Sequence, residues 1–168
     1  VLAGPDGRSF SLTAPGGRLG AAHSPFAGPG YGVPAAIGLL VLTVAAVAAL
    51  WIVADRPAVA TADDRIEAAL RQASAHRVLR GATAAVLVVT GGLLAVSGNA
   101  AASTARTLTA NAGPNGLDAG ALAGVLPVVG TVIAVLGLLL ALGGVVLSAV
   151  RAPGLPADLP AAPVSAAG

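Results

Sequence analysis

His23 and His76 are the only imidazoles in a chain of 168 residues that has no Cys and no Met. Any metal ligation or general acid–base chemistry would rest on these two side chains and on seven acids. Neither histidine lies in an apolar run, where haem ligation between helices would need it. His76 stands among Arg71, Arg77 and Arg80 and reads as a solvated or headgroup-facing side chain. The lack of Cys removes disulfides, thiolate metal sites and redox dithiols together. Asp63, Asp64 and Glu67 form the one acidic cluster. A capped, solvated helix start accounts for it, and its residues lie along a helix rather than around a cation-binding loop. There is no P-loop, no G-x-S-x-G, no H-E-x-x-H and no dinucleotide-binding glycine pattern. The expectation is a chain with no catalytic residue, no cofactor and no metal ligand.

The elements that surround these few groups are far more informative. Val33–Ala54, Gly81–Ala105 and Ala119–Val150 carry no charge. Each exceeds the roughly 20 apolar residues that a membrane-spanning helix needs. Hydrophobic residues make up 56% of the chain, and charged ones only 10%. The mean hydropathy is +0.88. A soluble core of this size could not conceal so much Leu, Val and Ala. The sequence therefore predicts an all-α, polytopic integral membrane protein with three transmembrane helices. A charged cytoplasmic helix over about 62–80 leads into the second, and the terminal segments are irregular.

The organisation follows from this. Residues 1–32 form a Gly/Pro-rich extracytoplasmic segment. Ser9–Thr13 has the composition of a short strand and Ala14–Gly17 that of a turn, but an irregular surface segment is the reading adopted. A three-helix transmembrane domain occupies 33–150, with spans over about 33–54, 81–102 and 124–150. Pro34 suits the first turn of the first helix. Thr61 with Asp64 resembles a capping box, and Glu67 pairs with Arg71 at i,i+4. Gly113-Pro114-Asn115-Gly116 is a turn signal. Pro127 divides the third uncharged stretch: Val128–Val150 is long enough to span by itself, and Ala119–Leu126 is expected to extend the helix outside, lie at the interface or form a bent first turn. The Pro- and Ala-rich tail, 151–168, is expected to be disordered. The first residue is Val, which points to a processed chain or to a segment upstream, and the leader lacks the basic start of a secretory signal peptide.

Tyr31 and Trp51 are the only Tyr and Trp. Twenty residues of helix separate them by about 30 Å. That matches the hydrocarbon thickness, so both are expected to be membrane-interface anchors. The polar residues within the apolar cores of these runs, up to Ser97 in the second, are Thr43, Thr83, Thr90, Ser97, Thr131 and Ser148. Their hydroxyls are expected to bond back to their own helix carbonyls. Charges at membrane depth are absent, which argues against a self-contained pump or secondary transporter.

Small residues recur at four-residue spacing. Gly120 with Gly124, Gly91 with Ala95, Gly130 with Ala134, and Gly137 with Ala141 are the helix-packing candidates. Small side chains let helix backbones approach where no hydrophobic force separates protein from lipid. All nine cations are Arg, and the pI is near 10.5. Seven acids leave a net charge of only +2, with the basic residues spread over several loops, so nucleic-acid binding is not expected.

Five Arg fall in 55–80 and one, Arg151, follows the third span, against Arg8, Arg18 and Arg106 on the other side. That bias places the 55–80 loop and the C-terminus in the cytoplasm and the N-terminal segment outside a multi-pass cell-membrane protein. The expected partners are the lipid bilayer and other membrane subunits or further copies of the chain. The function these features favour is a small non-catalytic accessory or structural subunit. A self-associating channel or transporter component stands second, and an integral membrane enzyme third.

Overall fold

The computed structural model describes residues 6–55 and 64–150. The expected capping box at Thr61 and the C-terminal tail lie outside them, as do the side chains of Arg65 and Glu67. The order of elements is β1 (Phe10–Thr13), β2 (Gly20–His23), α1 (Pro29–Ala54), α2 (Asp64–Ala112) and α3 (Ala121–Ala149). Most of the described chain is helical, and three helices are long and apolar enough to cross a membrane.

The first correction concerns the N-terminal segment, which is ordered into an antiparallel hairpin instead of being irregular. Phe10 pairs with His23 and Thr13 with Gly20. The alternation Phe10, Leu12, Ala14 puts three apolar side chains on one face, and all three are buried. Leu19, Ala21 and Phe26 join them, against Ala100, Ala105 and Leu108 of α2 and Ala123 of α3. Two short strands are marginal alone. Here the helices supply the surface that makes the hairpin worthwhile. The Phe10 and Phe26 rings sit 5.3 Å apart, tilted.

The helices also begin and end differently from the expected bounds. α1 starts at Pro29, which occupies the first turn behind the N-cap Gly28, and Pro34 falls inside it. The fixed φ of proline favours this start, and the Gly32 amide closes the first turn on the Gly28 carbonyl at 2.8 Å. α2 is one helix of 49 residues that unites the charged segment with the second apolar run. At 1.5 Å per residue it is about 74 Å long. α3 does not divide at Pro127. That proline stands in the second turn, where it removes one bond to the Ala123 carbonyl, and the remaining turns carry the helix on to Ala149.

A 3₁₀ turn at Gly113–Asn115 and a left-handed Gly116 reverse the chain between α2 and α3. The Gly120 amide donates to Asp118 Oδ1 at 2.8 Å just before α3 begins. α2 and α3 lie antiparallel with Ala84 against Gly144 and Gly98 against Gly130. α3 ends at Ala149, opposite about Leu79, so Asp64–Val78 projects past it. Arg80 Nη1 donates to the Val150 carbonyl at that end.

Candidate functional site

Two features are built from more than one element: the α2–α3 seam and an apolar cleft beside α1. The seam rests on two seven-residue series, Ala84, Gly91, Gly98, Ala105 on α2 and Ala123, Gly130, Gly137, Gly144 on α3. All eight are buried. A Cβ added at Gly91 would lie 2.5 Å from the Gly137 carbonyl oxygen and from the Ala141 amide nitrogen. One at Gly98 would lie 2.6 Å from the Ala134 nitrogen, and one at Gly130 2.6 Å from the Gly98 oxygen. At Gly144 the Ala84 oxygen is 2.7 Å away. The two backbones therefore touch, and no side chain fits between them. A seven-residue period is that of a left-handed supercoil, so the contact continues along both helices.

The residues singled out in the sequence fall in different places. Gly91, Gly130 and Gly137 lie in the seam, with Ala95, Ala134 and Ala141 half-buried along its edge. Gly124 faces open space. Gly120 is the N-cap of α3, at φ +84°, with Pro15 beside it. The Gly120–Gly124 pair is thus outside the seam. Gly98, Gly144, Ala84, Ala105 and Ala123 were missed because a four-residue rule was applied. The seven-residue period was the signal that finds them.

Hydroxyls divide by position. Thr43 bonds to the Leu39 carbonyl at 2.8 Å, Thr131 to Pro127 at 2.6 Å and Ser148 to Val145 at 2.6 Å, each within its own helix. Thr104 is buried; its Oγ1 donates to the Ala100 carbonyl at 2.8 Å and lies 3.4 Å from the Phe10 carbonyl. Ser97 Oγ instead accepts from the Ala27 amide at 3.2 Å, tying the segment before α1 to α2. Arg106 Nη2 donates to Thr131 Oγ1 at 2.9 Å, linking α2 to α3.

The Ser97–Ala27 bond borders the cleft. Pro25, Ala27 and Tyr31 form one wall; Val88, Val89, Gly92, Leu93 and Val96 of α2 form the other. Its volume is about 480 Å³. The Tyr31 ring faces it, and the Arg8 guanidinium carbon lies 5.8 Å from the ring centroid. Trp51, at the far end of α1, is exposed.

Groups able to do chemistry are dispersed. His23 and His76 are exposed on β2 and on α2. Among the described residues, no three His, Cys, Asp or Glu side chains converge on a point that would hold a metal. Asp6 has its carboxyl lowered below the usual range, first by the Ser9 hydroxyl and then by the Arg8 amide. These bonds close a turn before β1.

Compared with known protein families, characterised proteins and solved structures, the chain matches none. The fold itself defines a three-helix chain whose helices are long and apolar enough to cross a membrane.

Proposed function

We propose that the chain is a small multi-pass membrane protein without catalysis of its own, an accessory or structural subunit that packs against other membrane subunits. One observation carries this reading: burial along the helices is inverted. Gly and Ala are inside, while Ile37, Leu40, Val41, Val44, Leu136, Leu138 and Leu139 are more than half exposed. In water each such side chain would forgo about 1.5–3 kcal/mol of burial. In a bilayer the same arrangement costs nothing, and close backbone contact is what holds helices together. α1 has no buried residue over its 26 positions, so most of its surface is free for lipid or for a neighbouring helix.

The Arg distribution supports a cytoplasmic 55–80 segment, with the hairpin and the α2–α3 turn outside. Ser74→Cys is expected to be protected from an impermeant thiol reagent in intact cells, and Asn115→Cys to be labelled. The opposite pattern reverses the orientation.

The decisive measurement is alkaline extraction of membranes, then detergent release and native mass. Retention in the membrane and recovery with other membrane polypeptides is the expected outcome. Release by alkali removes the membrane reading. A homo-oligomer of several copies replaces the accessory reading with that of a pore, and a bare monomer removes the packing claim.

A further inference from the structure

A cation stands beside the cleft: the Arg8 guanidinium lies over the ring of Tyr31, one of the residues that line it. Arg8 follows the Asp6 turn, and its stem crosses Gly30, where an added Cβ would meet Arg8 Cγ at 2.6 Å. Gly30 thus leaves the room that lets the guanidinium reach Tyr31. Asp6, the nearest acid in sequence, is occupied by the amides of Arg8 and Ser9 and by the Ser9 hydroxyl. The cleft walls are Val, Leu, Ala, Pro and Gly residues and the Tyr31 ring, over which Arg8 lies. Its volume of about 480 Å³ is that of a small-ligand site.

A slot of apolar walls with a guanidinium beside it, over the Tyr31 ring, fits an amphiphile: a hydrocarbon chain carrying an anionic head. We infer that the cleft holds one acyl chain of an anionic phospholipid, with the lipid phosphate on the Arg8 guanidinium. The planar fork of arginine matches phosphate oxygens two at a time. Tyr31 forms the wall between the head and the chain. The Ser97–Ala27 bond keeps the two walls in register. This inference rests on the membrane reading, because the lipid enters sideways between α1 and α2.

Two substitutions separate head from chain. Arg8→Gln removes the cation. Gly92→Leu fills the slot: Gly92 lines the cleft, and an added Cβ there meets nothing within 4 Å, so the seam is untouched. The full chain, purified in detergent, is offered equal amounts of phosphatidylglycerol and phosphatidylcholine with identical acyl chains, and bound lipid is read by native mass spectrometry.

Wild type is expected to retain one phosphatidylglycerol, preferred about tenfold, the size of one charge-assisted contact. Arg8→Gln is expected to bind both lipids equally, and Gly92→Leu to bind neither. If Gly92→Leu is recovered unfolded by circular dichroism, Val89→Trp provides the second block of the same slot. Undiminished phosphatidylglycerol on either blocked variant, or an intact preference in Arg8→Gln, overturns the inference. So does a polypeptide that stays in the cleft and excludes lipid from wild type. Release of wild type from membranes by alkali overturns the membrane reading instead, which keeps the two failures apart.

Discussion

Between Ala84 and Gly98, α2 meets α3 through its backbone; between Ala100 and Leu108 it also meets the hairpin through side chains. The lower region buries Gly and Ala and leaves Val, Leu and Ile outside. The upper one buries Phe10, Leu12 and Leu108, as a water-soluble core does. One helix thus follows two packing rules along its length. Where the surroundings are water, association gains by hiding large apolar groups. Where they are hydrocarbon, hiding such groups gains nothing, and contact area between close backbones takes over. The change of rule near Ser97 marks where the surroundings change if the membrane reading holds, and Tyr31 and the Ser97–Ala27 bond lie at that level.

The two regions should respond oppositely to added and removed volume. The largest effect is expected from Gly137→Leu. Its Cβ alone would sit 2.6 Å from the Gly91 oxygen, so α2 and α3 must separate. A loss of about 3 kcal/mol or more is expected in a detergent-unfolding titration. Gly143→Leu, at a position facing open space, should stay within about 0.5 kcal/mol. Equal tolerance of both would break the comparison.

Phe10→Ala should cost about 3 kcal/mol, but locally. Hydrogen exchange is expected to rise over Phe10–His23 while the amides of 84–98 keep their protection. A collapse of the seam in this variant would show that the regions are one cooperative unit. Thr104→Val sharpens the boundary between them. It removes a buried hydroxyl that bonds to Ala100, and about 1 kcal/mol is expected to be lost, again read at the hairpin.

The smallest effect concerns pH. The Asp6 carboxyl is held below its ordinary range by the Ser9 hydroxyl and the Arg8 amide. A depressed carboxylate contributes stability above its ordinary pKa and loses it as pH falls through the folded value. The Arg8 and Ser9 amide resonances should therefore shift only in acid, below about pH 4. Asp6→Asn should abolish that shift; an unchanged titration would place its cause elsewhere.

The helices were legible because transfer energy acts on whole uncharged runs, and Val33–Ala54, Gly81–Ala105 and Ala119–Val150 each lie within or nearly within one helix. The turn at Gly113–Gly116 was legible for a local reason, the φ that only glycine adopts readily. Of the alternatives left open before Pro127, the structure has the continued helix: α3 starts at Ala121, close enough to Pro127 that the proline costs one bond near the helix start. The hairpin was underweighted since its strands have four residues each, and what stabilises them lies about 90 residues away on α2. The seam was half legible. Ala and Gly are so common here that four-residue matches arise everywhere. Only the coincidence of two seven-residue series, read in opposite directions, distinguishes Gly98 from Gly124. The cleft had no sequence signature, because it is made by the approach of Pro25, Ala27 and Tyr31 to Val88–Val96.

α2 can finally be considered as a mechanical part. From Ala84 onward it is clamped to α3 at every second turn, and over Ala100–Leu108 the hairpin grips it as well. Below that, Asp64–Val78 extends past the end of α3, and no side chain from Ala68 to Leu79 is buried. This is a cantilever: a stiff beam fixed over most of its length, with 15 residues, about 22 Å, overhanging the end of α3. A sideways load on such an arm bends it most at the support. Gly81 and the Arg80–Val150 contact stand at that point, where such a load on the charged arm is borne.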